Sequence, residues 1–322
     1  METHNLKQLP FYDLSDNQLR EYLRINKTDL SEINTTFSDY LKMIDQGNKL
    51  NDLNFSYVTE TEFNNKIQCI SDSIEFSVLH LNIRSLNRNH RALCQFLEML
   101  SVKFDVLILS EIWSTSIDSF CNLFSGYSFY YDLSKDSNVG GIGMYIKNTL
   151  THRELKDYKL TGSTSSRVEN IWFEISKNKN KIIIGGIYRH PNQNIIEFTN
   201  ELEPVLGKLA NQTLSCIIGG DLNVDLTKCG SHSPTTEYVD TLLVNNFMPV
   251  TVMPTRITSR SATLIDHLYF REGLGTAKNN NYIKNGNILE DIYDHLPNYM
   301  LLINKEKQVN EKRPMTRIFS EK

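Results

Sequence analysis

The stretch from Leu214 to Asp225, LSCIIGGDLNVD, constrains the chain more than any other. Cys216, Ile217 and Ile218 form a short apolar run that reads as a buried strand, and Gly219-Gly220 are expected to stop it. Beyond them Asp221, Asn223 and Asp225 alternate with Leu222 and Val224. Successive side chains of an extended segment point to opposite faces. Three oxygen-bearing groups therefore converge on one side, while the leucine and valine turn toward a core. Two readings fit this pattern. Hard oxygens at the end of a buried strand suit Mg²⁺, and a turn rich in Asp and Asn equally serves local hydrogen bonds and helix caps. An EF-hand calcium loop also begins D-x-N-x-D, but Leu226 and His232 stand where that loop needs Gly and Glu.

The 322 residues suffice for one large domain with an appendage, or for two domains, and 40% hydrophobic content allows a sizeable core. No apolar run reaches the roughly 18 residues of a membrane span, and METHNLKQLP lacks the basic-then-apolar order of a signal peptide. The five cysteines (Cys69, Cys94, Cys121, Cys216, Cys229) are scattered and odd in number. That favours reduced thiols in an intracellular protein over a disulfide framework or a zinc site. The net charge of −4 is unevenly divided: residues 1–75 carry 7 Lys and Arg against 13 Asp and Glu, and the rest 27 against 25. The larger part is thus mildly basic, which permits phosphate contact without strong non-specific affinity.

Residues 1–75 are expected to be an acidic, polar arm, flexible or weakly helical, with short helices after Ser15 and from about Asp29 to Ile44. The globular domain is expected to span residues 76–304, followed by a charged linker over 305–322. FSVLHL reads as a buried strand ending at Asn82, a helix follows from Asn89 to Leu100, and DVLIL (105–109) is a second strand ending at Ser110-Glu111-Ile112-Trp113. Segments 140–148 and 169–175 read as strands, KNKN (177–180) as a hairpin turn, and Lys181 to Tyr188 as the partner strand. Helices are expected over 194–210 and 235–247. ATLIDHLYF (262–270) reads as a strand carrying Asp266, and Asp294-His295 precede a last apolar strand. A polar residue at the end of each strand is the usual way an α/β domain assembles a site. His190 and His267 read as structural or surface residues.

Taken in order, LNIRSL, SEIW, GGIYRHP, GGDLNVD, TLIDHLYF and YDHLP resemble the successive motifs of the endonuclease/exonuclease/phosphatase superfamily. The resemblance is greatest to the apurinic-endonuclease-like domain of non-LTR retrotransposons and covers residues 76 to about 304. It implies an α/β four-layer sandwich of the exonuclease III/DNase I kind, two mixed β-sheets face to face with helices outside. It also implies a Mg²⁺-dependent endonuclease (Mn²⁺ substituting) that acts on DNA, nuclear if the DNA is genomic, without membrane or organic cofactor. Carried over by motif, Glu111 with Asn82, and Asp294 near them, would form the metal site. Asp221 would orient or deprotonate the attacking water and Asn223 would hold water or phosphate. Tyr188 would donate to the phosphate, and His295, fixed by Asp266, would contact its oxygens. Arg84, Arg189, Arg256 and Arg260, with Thr255, would meet the DNA. The family has a small serine before the Asp-His pair where this chain has Tyr293, a bulkier group whose hydroxyl lies elsewhere. The chain stops shortly after its last strand, and EKRPMTRIFSEK reads as the start of a linker toward a reverse transcriptase that is missing. A phosphatase of the same fold and an inactive or domesticated binding remnant are the alternative readings.

Overall fold

Alternation along the strands decides the architecture of the computed structural model. It describes residues 55–304 apart from 115–116, 135–137, 161–167, 179, 275–280 and 291, together with Phe37 and Leu41. In chain order the elements are β1 (Tyr57–Val58), α1 (Glu60–Gln68), β2 (Ile74–Asn82), α2 (Leu86–Met99), β3 (Val106–Ser110), β4 (Tyr127–Asp132), β5 (Ile142–Lys147) and β6 (Thr151–Glu154). Then come β7 (Val168–Lys177), β8 (Asn180–Arg189), α3 (Ile195–Ala210), β9 (Ser215–Asp221), α4 (Ser233–Val244) and β10 (Met248–Pro249). The chain continues with β11 (Arg256–Thr258), β12 (Ser261–Thr263), β13 (Asp266–Arg271), β14 (Asn281–Ile288) and β15 (Asn298–Asn304).

Among the described residues these strands form a seven-stranded sheet, ordered β1-β14-β15-β2-β3-β5-β4, and a six-stranded sheet, ordered β10-β13-β9-β8-β7-β6. The pair β11-β12 stands apart as a hairpin. Both large sheets are mixed: β2 runs parallel to β3 and β8 to β9, whereas β3 with β5 and β13 with β9 are antiparallel. Each sheet is buried on both faces, which is why its central strands read as unbroken apolar runs. Phe76, Val78, Val106, Ile108, Ile171, Phe173, Ile184 and Ile217 fill the space between the sheets. The intervening residues Leu79, Leu81, Leu107 and Leu109 pack outward with Phe63, Ile67, Leu93 and Phe96 of α1 and α2. On the other side Trp172, Ile183, Cys216 and Ile218 meet Phe198, Leu202, Tyr238 and Leu242 of α3 and α4. Two sheets between two helical layers make the four-layer sandwich.

Two expectations need revision here. The folded unit begins before Phe76: β1 pairs with β14, and Val58, Phe63 and Ile67 are buried in the outer layer. A reciprocal cap starts α1, with Thr59 Oγ1 accepting from Glu62 N–H and Glu62 accepting from Thr59 N–H. Phe37 and Leu41 are helical and buried in the layer of α3 and α4. The remaining expectations for residues 1–54, and the linker over 305–322, lie outside the described residues. Second, Gly219-Gly220 do not stop β9, which runs through them to Asp221. They answer close approach instead. A Cβ at Gly220 (φ 154°) would stand 1.7 Å from the Ile187 carbonyl oxygen, and one at Gly219 would stand 2.7 Å from Leu268 Cδ2.

Candidate active site

On the face between the sheets each strand runs apolar and then ends in a polar group. Phe76 and Val78 lead to His80 and Asn82, Val106 and Ile108 to Ser110, Ile217 to Asp221, Leu268 back to Asp266, and Met300 back to Asn298. Ladder register aligns them, with Asp266 opposite Asp221, Glu169 opposite Tyr188 and Asn298 opposite His80. The polar ends therefore collect at one mouth of the inter-sheet seam. They open into a cleft lined by Arg84, Glu111, Trp113, Tyr188, His190, Asp221, Asn223, Arg256, Asp294 and His295, among others.

The floor of the cleft is a carboxylate pair. Asn82 Nδ2 donates to Glu111 Oε1 (2.9 Å) and to Asp221 Oδ2 (2.7 Å), so one nitrogen holds both acids. Asn82 Oδ1 accepts from Arg84 N–H (3.0 Å), and Asp221 Oδ1 accepts from Asn223 N–H (3.0 Å). Burial first, and then the neighbouring Asp266 and Glu111, push the Asp221 carboxyl up to about 8 despite His295 and Asn82. A carboxyl held that high is one whose charged form is disfavoured, by burial first and by the neighbouring acids second.

Behind Asp221 lies a buried couple. His295 Nδ1 donates to Asp266 Oδ2 (2.8 Å), and Thr255 Oγ1 donates to the same oxygen (2.6 Å). Burial opposes charge on His295, but Asp266 outweighs it, aided by Asp221 and Asp294, and raises the ring to about 9. Asp266 is held below the usual carboxylate range: burial works against this, and His295, His80 and Thr255 prevail. A second chain ties the two sheets together underneath. Asn298 Nδ2 donates to Thr251 Oγ1 and to the Asp266 carbonyl (both 3.1 Å), so Asn298 Oδ1 accepts from His80 Nδ1–H (3.0 Å). His80 Nε2 then accepts from the Ser110 hydroxyl (2.9 Å), whose oxygen accepts from Asp221 N–H (3.0 Å). Burial lowers His80 to about 4, which agrees with this neutral tautomer.

Backbone strain gathers at the same place. Of the seven described non-glycine residues with positive φ, five border the cleft: Arg84 (41°), Ser85 (93°), Glu111 (55°), Trp113 (37°) and Asn223 (49°). The other two are asparagines, which tolerate that region. Strained loops that survive folding mark positions over-determined by their surroundings.

Glu111, Tyr188, Asp221, Asn223, Arg84, Arg256, Asp294 and His295 all line the cleft, and Asn82 and Asp266 bond directly to that set. Other assignments change. Asn82 faces the carboxylates with its amide nitrogen, a bridge between them in place of an oxygen ligand. Asp294 is given to cations: Arg256 Nε lies 2.8 Å from Oδ2 and Arg84 Nη1 3.8 Å from Oδ1. Arg189 is 1% exposed, and its guanidinium donates to the carbonyls of Leu222 (2.6 Å), Asn223 (2.6 Å) and Gln193 (2.5 Å), so it shapes the loop and cannot reach DNA. Thr255 is fully buried against Asp266 and likewise cannot touch DNA. Arg260 is exposed at the β11-β12 turn, outside the cleft lining. Asp225 follows the turn reading, capping Thr227 N–H (3.2 Å), whereas its neighbour Asp221 follows the site reading. Tyr293 brings a cation where the serine would stand, its ring 4.4 Å from the Arg84 guanidinium. His267 is structural as expected, bonded to Tyr238 and to the Val224 carbonyl. Sequence reasoning missed His80, Ser110 and Asn298, and also Glu169, whose carboxylate takes His190 Nε2 at 3.0 and 3.1 Å. For His80 and Ser110 the signal was present: they fall on the same strand face as Asn82 and the inter-sheet apolar residues.

The oxygen pair Glu111–Asp221 fits a hard divalent cation. Asp221, Asp266 and His295 also place ligand atoms within 4.8 Å of one another. However, His295 is held protonated by Asp266 and acts there as a donor, which disfavours it as a ligand.

A family model described as the endonuclease/exonuclease/phosphatase family matches residues 79–286, and the chain belongs to that family. Its fold recurs in solved structures of low identity. The endonuclease domain of TRAS1, a telomere-specific non-LTR retrotransposon, is 14% identical with a TM-score of 0.51, over 71% of this chain and 98% of that one. D. rerio TDP2 complexed with a single-strand DNA product is 14% identical with a TM-score of 0.54, over 70% and 98%. A Bacteroides thetaiotaomicron mannosyl-6-phosphatase is 12% identical with a TM-score of 0.52, over 71% and 100%. No curated protein sequence matches. Within the family the members are hydrolases of phosphate esters, and no helix among the described residues is long and apolar enough to cross a membrane.

Proposed function

We propose that this chain is a Mg²⁺-dependent endonuclease of retrotransposon origin that hydrolyses DNA phosphodiester bonds and leaves a 3′-hydroxyl. One observation carries the reading: two carboxylates bridged by Asn82 face the same cleft as a histidine hydrogen-bonded to a buried aspartate. Glu111 and Asp221 would hold the ion, which supplies Lewis-acid neutralisation of the phosphate and the leaving oxygen. Mn²⁺ is expected to substitute. The His295 imidazolium donates to a phosphate oxygen as negative charge develops, and Asp266 holds the ring in place. Burial, with Glu111 and Asp221 nearby, raises the Tyr188 phenol far above its ordinary range, so it serves as a second donor and not as a base. That leaves Asp221 to orient the attacking water and take its proton, with Asn223 beside it. Arg84 and Arg256, placed by Asp294 and Tyr293 at the rim, meet flanking backbone charge. Action on genomic DNA would place the protein in the nucleus.

The test is conversion of supercoiled plasmid to nicked circles with Mg²⁺ and with EDTA, run beside phosphate release from an inositol polyphosphate. Metal-dependent nicking with 3′-hydroxyl ends and no phosphate release is expected. Phosphate release without nicking would assign the site to a phosphatase, and neither activity would overturn the hydrolase reading.

A further inference from the structure

Four neighbouring strands of the six-stranded sheet, β13, β9, β8 and β7, each present one residue along a single level. Asp266 on β13 is the register partner of Asp221 on β9, and Glu169 on β7 is the partner of Tyr188 on β8. The β8-β9 register, Gly186 opposite Gly219, puts Tyr188 level with Asp221 two residues further on. A row Asp266, Asp221, Tyr188, Glu169 results, and each of its terminal acids holds an imidazole: His295 at one end and His190 at the other. At about 4.8 Å per strand the row is about 14 Å long. A DNA strand carries one phosphate per roughly 3.4 Å of helix axis, so a strand lying along this row brings more than one phosphate to it. The scissile phosphate belongs at Glu111, Asp221 and His295.

The second couple is as deliberately seated as the first. Glu169 is buried at 6% exposure, and its carboxylate grips His190 Nε2 through both oxygens, at 3.1 and 3.0 Å. A buried carboxylate is costly without a partner, and His190 is that partner. The ring packs edge-on to Tyr188, with centroids 4.9 Å apart. Gly140, at φ 105°, makes its slot, since a Cβ there would lie 2.7 Å from His190 Cε1. With Nε2 donated to Glu169, the remaining ring nitrogen, Nδ1, has no partner among the described residues, and His190 lines the cleft.

We propose that His190, oriented by Glu169, binds a phosphate adjacent to the scissile one, so that the cleft takes a polynucleotide strand through two phosphates. The Glu169 carboxylate, held to Nε2 through both oxygens, orients the ring and leaves Nδ1 as the nitrogen that meets that phosphate. This inference rests on the endonuclease reading, and the experiment separates the two. Short DNA duplexes are prepared with a single neutral methylphosphonate at each position flanking the nick, and wild type is compared with His190→Gln and Glu169→Gln. On unmodified duplex, His190→Gln is expected to raise KM roughly 10-fold with little change in kcat. Glu169→Gln, which preserves shape, is expected to raise it by a smaller factor. On the duplex neutralised at the matching phosphate, wild type and His190→Gln should agree within about twofold, because the interaction is already gone. If His190→Gln does not fold, the same cycle is read from Glu169→Gln. An effect of equal size on every backbone, or none on any, would overturn the assignment. Failure of wild type to nick any duplex would instead overturn the endonuclease reading.

Discussion

The two ends of β3 treat buried acids in opposite ways. At its start Asp105, 2% exposed, accepts from the Ser77 backbone and hydroxyl (both 3.0 Å) and from Lys177 (2.8 Å), with Lys147 at 3.6 Å. At its far end Glu111 joins Asp221 and Asp266, and this group is met by the Asn82 amide, the Asn223 N–H, the Thr255 hydroxyl and the His295 ring. A carboxylate used for architecture is thus surrounded by two lysines and a serine. Those at the cleft have no lysine beside them in the bonds described above, and burial with the neighbouring acids raises Asp221. The difference marks the cleft, and not the start of β3, as the place where the carboxylate oxygens fit a hard cation.

The sharpest way to break the comparison is to neutralise one acid at each end. Asp221→Asn or Glu111→Gln should lower nicking by on the order of 10³-fold. Asp221→Asn should also leave the metal-free protein as stable as wild type or more so, because burial and the neighbouring acids already disfavour a charge at that position. Asp105→Ala should do the reverse, with kcat kept and about 3 kcal/mol of stability lost. That value sits at the low end because its lysines are a quarter exposed. Denaturant unfolding beside nicking rates checks both.

A second effect distinguishes the couple from the carboxylate pair by its pH dependence. His295 is raised in the fold from 6.5 to about 9. Its contribution to stability is therefore complete below pH 6.5 and is lost as pH rises through about 9. Nicking by wild type should fall above that point, and Asp266→Asn should move the fall toward the ordinary histidine range. The gap in Tm between the two proteins should narrow between pH 6.5 and 9. Alkaline limbs that coincide would detach His295 from Asp266. Thr255→Val, which removes one hydrogen bond to Asp266, should cost about 1–3 kcal/mol in the same unfolding experiment.

What could be read in advance follows from the strands. A central strand buried on both faces announces itself as an apolar run, and the polar residue that ends it is conspicuous, so Asn82, Glu111, Tyr188, Asp221 and Asp266 were legible. Edge elements were not. β4 has no fully buried residue and β6 is mostly exposed, so neither carries an apolar run. Arg189 misled because proximity in sequence to a motif does not reveal direction: on β8 it alternates with Tyr188, so the tyrosine faces the seam and the arginine the opposite side. Gly219-Gly220 misled because glycine marks both chain breaks and close approach, and the partner in that approach, Ile187, comes from another strand. His80 and Glu169 stayed hidden because each matters through a partner distant in sequence, Asn298 for one and His190 for the other.

The smallest effect separates the two kinds of arginine. Arg84→Ala should weaken binding of every DNA sequence about equally and reduce the salt dependence by about one unit of slope. Arg189→Ala should leave the slope alone and lower Tm, since its guanidinium serves backbone carbonyls. Titration of duplex binding against salt checks both, and equal slopes for Arg84→Ala and wild type would remove Arg84 from the interface.

The most direct test of the central claim is Mg²⁺ binding measured without turnover, as the change in Tm on adding the ion to wild type, Asp105→Asn and Asp221→Asn. Binding to the folded state alone raises Tm. A cation site at the cleft predicts a rise for wild type and Asp105→Asn and none for Asp221→Asn. The same rise in all three, or none in wild type, would contradict it.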